Sequence, residues 1–283
     1  MVVDGHTHLY DEFLGSEGSD VEGFLQGLSS VGVDKALVFT LKGLYGECRR
    51  WNDVLYEATK PHRDRLVPFC TVSPHDGLEA VQELRRCVEE LKMPGVKFHP
   101  WLQAFPPTHP GLGPIFEEIA HLGIPAVFHD GTPPYCASFQ IAYLASQFPS
   151  VPVILGHSGL NDMWPEALRA AEKYENIYLS TCGAPFLALR TIIETVGAGR
   201  LMYGSDFLLG GIPWMQVHLK LVDLLPIRDD EKERILGGNA VELVPALNAS
   251  GKCEVRSAKC EVRSAKCEVR SAKCEVRSAK CEV

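Results

Sequence analysis

The 283-residue sequence contains no apolar run approaching the roughly 18 residues of a membrane-spanning helix, so a helical membrane protein is excluded. It contains no C-x-x-C pair, which removes both thioredoxin-like redox motifs and zinc ribbons. There is no P-loop, and Gly156-His157-Ser158-Gly159 lacks the spacing of a nucleophile elbow. Positive charge is in deficit: 28 Lys+Arg face 36 Asp+Glu, a net charge of −8, which argues against general affinity for nucleic acid or an anionic membrane. The start, Met1-Val2-Val3-Asp4-Gly5-His6, has neither the basic residues nor the apolar stretch of a signal peptide. A reducing cytoplasm with mostly free thiols is therefore the expected setting.

What is present is globular composition, 46% hydrophobic and 23% charged, enough for a large core. It is followed by an unlike segment. From Lys252 the heptapeptide Lys-Cys-Glu-Val-Arg-Ser-Ala repeats in four full copies and a partial fifth. Five of the ten cysteines (Cys253, Cys260, Cys267, Cys274, Cys281) are copies of this one position. A seven-residue period with valine at a and alanine at d fits a coiled coil, but alanine at every d buries little. The sequence therefore predicts a body over 1–248 and a tail over 249–283 that is disordered or weakly helical. Subtracting the repeat's nine Lys+Arg and five Glu from the totals leaves 19 basic against 31 acidic residues, so the body carries −12 and the tail is basic.

The body alternates short apolar runs with amphipathic helical patterns. A first strand is predicted to start at 2–4 and to run on to His8, and further strands at 35–40, 66–72, 95–99, 125–129, 151–157, 177–181 and 200–206. Each is followed by a helical pattern. The first is introduced by Ser19-Asp20-Val21-Glu22, read as a capping box, and stopped by Gly32. Later helices are expected at 50–59, 78–91, 114–122, 139–148, 164–174 and 185–196, with 214–225 and 230–243 closing the body. Continuously apolar strands belong to a sheet covered by helices. Eight such β/α units in about 250 residues point to an α/β fold, a closed (β/α)8 TIM barrel. An open doubly wound sheet would want a glycine-rich phosphate turn after its first strand, where this chain has Asp4-Gly5-His6-Thr7-His8.

In such barrels chemistry collects at the C-terminal ends of the strands. Those ends carry His6 and His8, Lys97 and His99, His129 and Asp130, His157, and Asp206. His6 and His8 lie two apart and so share a face of their strand. Two imidazoles, a third across the barrel and a carboxylate make a divalent-metal site with zinc-like ligands. His157, on the loop after the sixth strand, suits acid/base work or polarisation of a substrate oxygen, and Asp206 suits metal contact and proton acceptance. For Lys97 three readings stay open: a carbamylated bridge to a second metal, a seat for an anionic substrate, or a structural ion pair. Trp101 either walls a pocket or packs on the proline-rich loop that follows His99. Cys136 and Cys182 receive no role.

The motifs Asp4-Gly5-His6-Thr7-His8, Gly95-Val96-Lys97-Phe98-His99-Pro100, Phe128-His129-Asp130-Gly131, Leu155-Gly156-His157-Ser158-Gly159, Tyr203-Gly204-Ser205-Asp206 and Ile235-Leu236-Gly237-Gly238-Asn239-Ala240, in this order, resemble the amidohydrolase superfamily. The branch is that of aminocarboxymuconate semialdehyde decarboxylase and related aromatic-acid decarboxylases, and the likeness runs to about residue 247. The resemblance implies that His6, His8, His129 and Asp206 bind Zn2+ or another divalent metal, and that His157 is the catalytic histidine. It implies that Asp206 takes the proton of a metal-activated water in hydrolytic members. The decarboxylases place His-Pro-Trp after the fifth strand, whereas here His99-Pro100-Trp101 follows the fourth. The leading expectation is thus a metal-dependent hydrolase of an amide, ester or lactone bond in a small molecule. A non-oxidative decarboxylase on the same fold is the alternative, and a barrel that binds without catalysis is the third reading. No nucleic-acid or membrane partner is expected, and a homo-oligomer is left open.

Overall fold

A computed structural model describes residues 1–248; the repeat tail, with the expectation made for it, lies outside the described residues. Eight parallel strands form the barrel: β1 (Val3–Leu9), β2 (Lys35–Thr40), β3 (Leu66–Pro68), β4 (Val96–Phe98), β5 (Ala126–Phe128), β6 (Val153–Leu155), β7 (Ile177–Ser180) and β8 (Leu201–Met202). They pair in chain order as an arc of three, β1 to β3, and an arc of five, β4 to β8. Parallel bridges join the arcs at Cys70–Val96 and at Thr7–Phe207, and the Gly5 amide donates to Tyr203 O at 2.9 Å, so the cylinder closes. A short antiparallel hairpin (Glu12–Phe13 with Ser16–Glu17) follows β1; two-residue strands leave no periodicity to read in sequence.

The outer ring consists of α1 (Val21–Val31), α2 (Cys48–Thr59), α3 (Leu78–Glu89), α4 (Leu112–Leu122), α5 (Ser138–Gln147), α6 (Leu160–Lys173), α7 (Phe186–Val196) and α8 (Gly211–Asp223). Three local expectations are corrected. The cap of α1 is Asp20, whose carboxylate accepts from the Gly23 amide, while the Ser19 hydroxyl donates to Asp20 O. Helix α6 begins at Leu160 and not at 164, with Pro165 falling in its second turn. The closing helix is divided into α9 (Asp229–Glu233), a π-turn over Arg234–Gly238 and α10 (Asn239–Leu243). The extra residue of the π-turn lets Ile235 O accept from the Tyr203 amide at 2.8 Å. Asn239 Nδ2 then donates to Ala198 O at 2.7 Å and Leu201 O at 2.6 Å, fastening β8.

The core has two layers. Between strands and helices lie residues such as Val38, Val96, Phe98, Phe128, Val153 and Leu155. Inside the barrel lie Val3, Leu37, Val67, Val127, Ile154 and Met202, with Ala240, Val244 and Leu247 closing the lower end. Lys97 pairs with Val127, and Val127 with Ile154, so Lys97 occupies the same interior row as these apolar side chains. An ammonium placed there, 1% exposed, is costly to bury and has to be held by what surrounds it.

Candidate metal centre

The upper end of the barrel is as polar as the lower end is apolar. A register shift in β1 between Asp4 and Thr7 turns the His6 amide onto the Asp4 carboxylate (3.1 Å). His6 and His8 then both point inward, their rings 5.3 Å apart, with Phe39 beside each. Asp206 lies past the end of β8, in the left-handed region at φ 62°, a conformation that aspartate tolerates better than most residues. Its amide donates to His6 O at 2.8 Å. Its carboxylate thereby meets the two rings: Oδ1 is 3.1 Å from His8 Nε2 and 3.6 Å from His6 Nε2.

Gly156 fixes the tautomer of His6. The ring's Nδ1–H donates to Gly156 O at 3.0 Å, which leaves Nε2 as a lone pair facing the cavity. A Cβ on residue 156 would stand 2.7 Å from the His6 ring, so only glycine admits this approach. Lys97 Nζ reaches the same Nε2 at 3.1 Å.

The donor set fits a divalent cation. His6, His8 and Asp206 bring one ligand atom each within 4.8 Å of one another. Asp206 Oδ1 and His8 Nδ1 are buried without an aligned hydrogen-bond partner, an arrangement a folded protein avoids unless something else satisfies it. Burial, then Lys97, hold His6 well below the usual histidine range, and burial likewise lowers His8, so both rings are neutral as metal ligation requires. Burial opposes the charge on Asp206, but the His8 ring nitrogen at hydrogen-bonding distance, with the His6 and His157 rings beside it, keeps the carboxyl well below its ordinary range.

His157 stands beside this group, its ring 4.7 Å from that of His6. Its loop is held by Asp130, whose buried carboxylate accepts from the His157 amide (2.8 Å), the Gly159 amide (2.7 Å) and Ser138 Oγ (3.0 Å). Burial, reinforced by Lys97 and His8 and opposed by Asp206, lowers His157 to about 4. Burial lowers Lys97 to about 8, with Asp206 working against the fall.

The remaining candidates lie one layer out. The His129 ring contacts that of His157 at 4.5 Å, but its Nε2 is engaged with Thr132 Oγ1 at 2.7 Å, and it stands outside the His6–His8–Asp206 group. His99 stacks face to face on His129 at 3.8 Å. Trp101 is 49% exposed and stacks on Tyr135, forming a rim more than a pocket wall. Two residues named from the sequence have a supporting role it does not reveal: Asp130, and Cys182, whose Sγ is 3.3 Å from His157 Nδ1. Neither announces itself locally, because each acts on a residue more than twenty positions away. The five cysteines among the described residues are free.

The class of protein so defined is a parallel α/β barrel whose upper end gathers histidines and a carboxylate that could hold a metal ion. The family model described as amidohydrolase matches residues 3–246, and the chain belongs to that family. It is 24% identical over 218 residues to 2-keto-4-carboxy-3-hexenedioate hydratase of Sphingobium sp. (strain NBRC 103272 / SYK-6), covering 62% of this chain and 64% of that protein. It is 22% identical over 237 residues to 2-amino-3-carboxymuconate-6-semialdehyde decarboxylase of Dictyostelium discoideum, covering 68% and 65%. The chain thus spans a little under two thirds of the length of these curated relatives. The fold resembles crystalline 5-carboxyvanillate decarboxylase from Sphingomonas paucimobilis, with TM-score 0.70, 20% identity, and coverage of 86% of this chain and 98% of that one. It also resembles dihydroxybenzoic acid decarboxylase from Polaromonas sp. JS666, solved with bound manganese and an inhibitor, with TM-score 0.67, 17% identity, and coverage of 88% and 98%. Among the described residues no helix is long and apolar enough to cross a membrane.

Proposed function

We propose that the protein is a divalent-metal-dependent enzyme acting on a small carboxylic acid, with non-oxidative decarboxylation as its reaction. The observation that carries this reading is Lys97, an ammonium in the interior row of the barrel and adjacent to His6. A cation so placed, beside a metal-ligating group, suits an anionic substrate. The decarboxylases and the hydratase among the similar proteins agree with a carboxylated substrate.

His6, His8 and Asp206 would hold the ion, zinc or manganese. His129 is the proposed fourth ligand, and through Nε2 it takes that place only by giving up Thr132. When bound, the ion supplies Lewis acidity, polarising a substrate oxygen or acidifying water. Lys97 binds the carboxylate. Asp206, ionised and with its side chain 23% exposed, takes up and returns a proton. Neutral His157 orients the substrate and stabilises charge that develops on its oxygen. The Asp206 carboxylate, ionised at the mouth beside the metal group, also favours a second reading, hydrolysis of an amide, ester or lactone by water. The free thiols suit a reducing compartment such as the cytoplasm.

The test is a panel of small carboxylic acids, esters, lactones and amides, offered to the zinc- and manganese-loaded protein. Carbon dioxide release with proton uptake is the expected result. Acid release without carbon dioxide establishes the hydrolytic reading, and no turnover of any member contradicts both.

A further inference from the structure

His6 belongs to two ligand groups. Besides His8 and Asp206, it lies with His157 and Cys182 in a second set whose ligand atoms are all within 4.8 Å of one another. All three residues of this second set are buried. The separation of Cys182 Sγ and His157 Nδ1, 3.3 Å, is close to that of two donors on one tetrahedral ion. Roughly 2.3 Å to a thiolate and 2.0 Å to an imidazole put such donors about 3.5 Å apart. Because His6 Nδ1 is committed to Gly156 O, the ring has only Nε2 to give, and one ion at a time can take it.

We propose that the centre offers a cation two alternative seats that share His6: a harder one with His8 and Asp206, and a softer one with His157 and Cys182. Ligand softness sorts the occupants. Imidazole with carboxylate accepts manganese or zinc, whereas a thiolate draws cadmium and other thiophilic ions. On binding, the thiol proton passes to solvent and the sulfur becomes a thiolate ligand. An ion in the softer seat removes both His6 from the first group and His157 from the substrate, so thiophilic metals act as inhibitors and not as replacements.

The test titrates Cd2+ into the full chain and follows the thiolate-to-cadmium charge-transfer absorption in wild type, Cys182→Ser, His157→Asn and His8→Asn. The other thiols, those of the repeat included, are common to all four and cancel in the differences. The expected result is an absorption increment that is lost in Cys182→Ser and in His157→Asn, retained in His8→Asn, and suppressed when wild type is first saturated with Mn2+. An identical titration of Cys182→Ser and wild type overturns the proposal, as does an increment indifferent to His157→Asn. Should a variant fail to fold by circular dichroism, the manganese competition on wild type remains decisive. Cadmium thiolate formation that bound manganese leaves untouched contradicts a shared His6. Manganese that does not bind at all contradicts the harder seat, and the Cys182 difference then stands by itself.

Discussion

Two buried polar clusters in this barrel are built to opposite rules. Around Glu83, on α3, every charge and amide has its complement. Asn52 Nδ2 donates to Glu83 Oε1 (2.9 Å) and to Thr71 O (3.0 Å), and Asn52 Oδ1 accepts from the Thr71 amide (2.9 Å). Arg86 closes on the carboxylate with two bonds of 2.8 Å, and reaches Asp53 as well. Gln103 continues the network, donating to Val72 O and accepting from the His99 amide. At the mouth, neutral rings, an ionised carboxylate and a buried ammonium face one another; Asp206 Oδ1 meets the ring nitrogens of His8 and His6 without an aligned hydrogen bond, and His8 Nδ1 has no partner. A satisfied network holds the fold; an unsatisfied one is tolerated where a ligand completes it. That difference marks the mouth, and not the Glu83 network, as the place a ligand would complete.

Substitutions sharpen that contrast. The largest effect is expected for Asp206→Asn, which should lower turnover by about 10²–10⁴-fold with a melting temperature near that of wild type. Full activity in that variant would remove Asp206 from the chemistry. Glu83→Ala should do the reverse, costing about 3 kcal/mol in denaturant unfolding because it removes a buried carboxylate with its two bonds to Arg86 and one to Asn52, while kcat of the folded fraction is unchanged. Lys97→Met should raise KM for a carboxylate substrate by about 10–100-fold, the loss of one charge-assisted contact. It should also leave stability equal or higher, since a buried charge is replaced by an apolar chain of similar length. A lower stability would show that Lys97 is a structural ion-pair partner.

The smallest effect is a pH dependence. Burial acts against the Glu83 charge, but the bonds from Arg86, Asn52 and Cys87 lower its pKa from 4.5. The stabilisation is therefore complete above about pH 4.5 and is lost as pH falls through the lower folded value. Glu83→Gln should flatten that acid limb of the unfolding profile, and an unchanged limb would assign it to other carboxylates.

The barrel was legible because its strands are short, apolar and bounded by glycine, proline or a helix cap, and all eight were found. The shared inward face of His6 and His8 follows from their two-residue spacing on β1. Less legible were features that depend on contacts distant in sequence. Asp130 looked like part of a strand-end motif, yet its work is to grip the loop 27 residues later. Cys182 was one dispersed cysteine until the fold set it against His157. The commitment of His129 to Thr132 is a local side-chain bond that spacing does not reveal. The strand predicted over 200–206 shrinks to Leu201–Met202, because the chain must leave the ladder to turn Asp206 over the mouth.

The central claim is that His6, His8 and Asp206 form a divalent-cation site. Manganese binding followed by electron paramagnetic resonance tests it most directly, because Mn2+ prefers oxygen and nitrogen donors to the chain's many thiols. The prediction is stoichiometric binding to wild type that Asp206→Ala abolishes. Wild-type protein that leaves manganese free, or an Asp206→Ala variant that binds it equally well, would contradict the account.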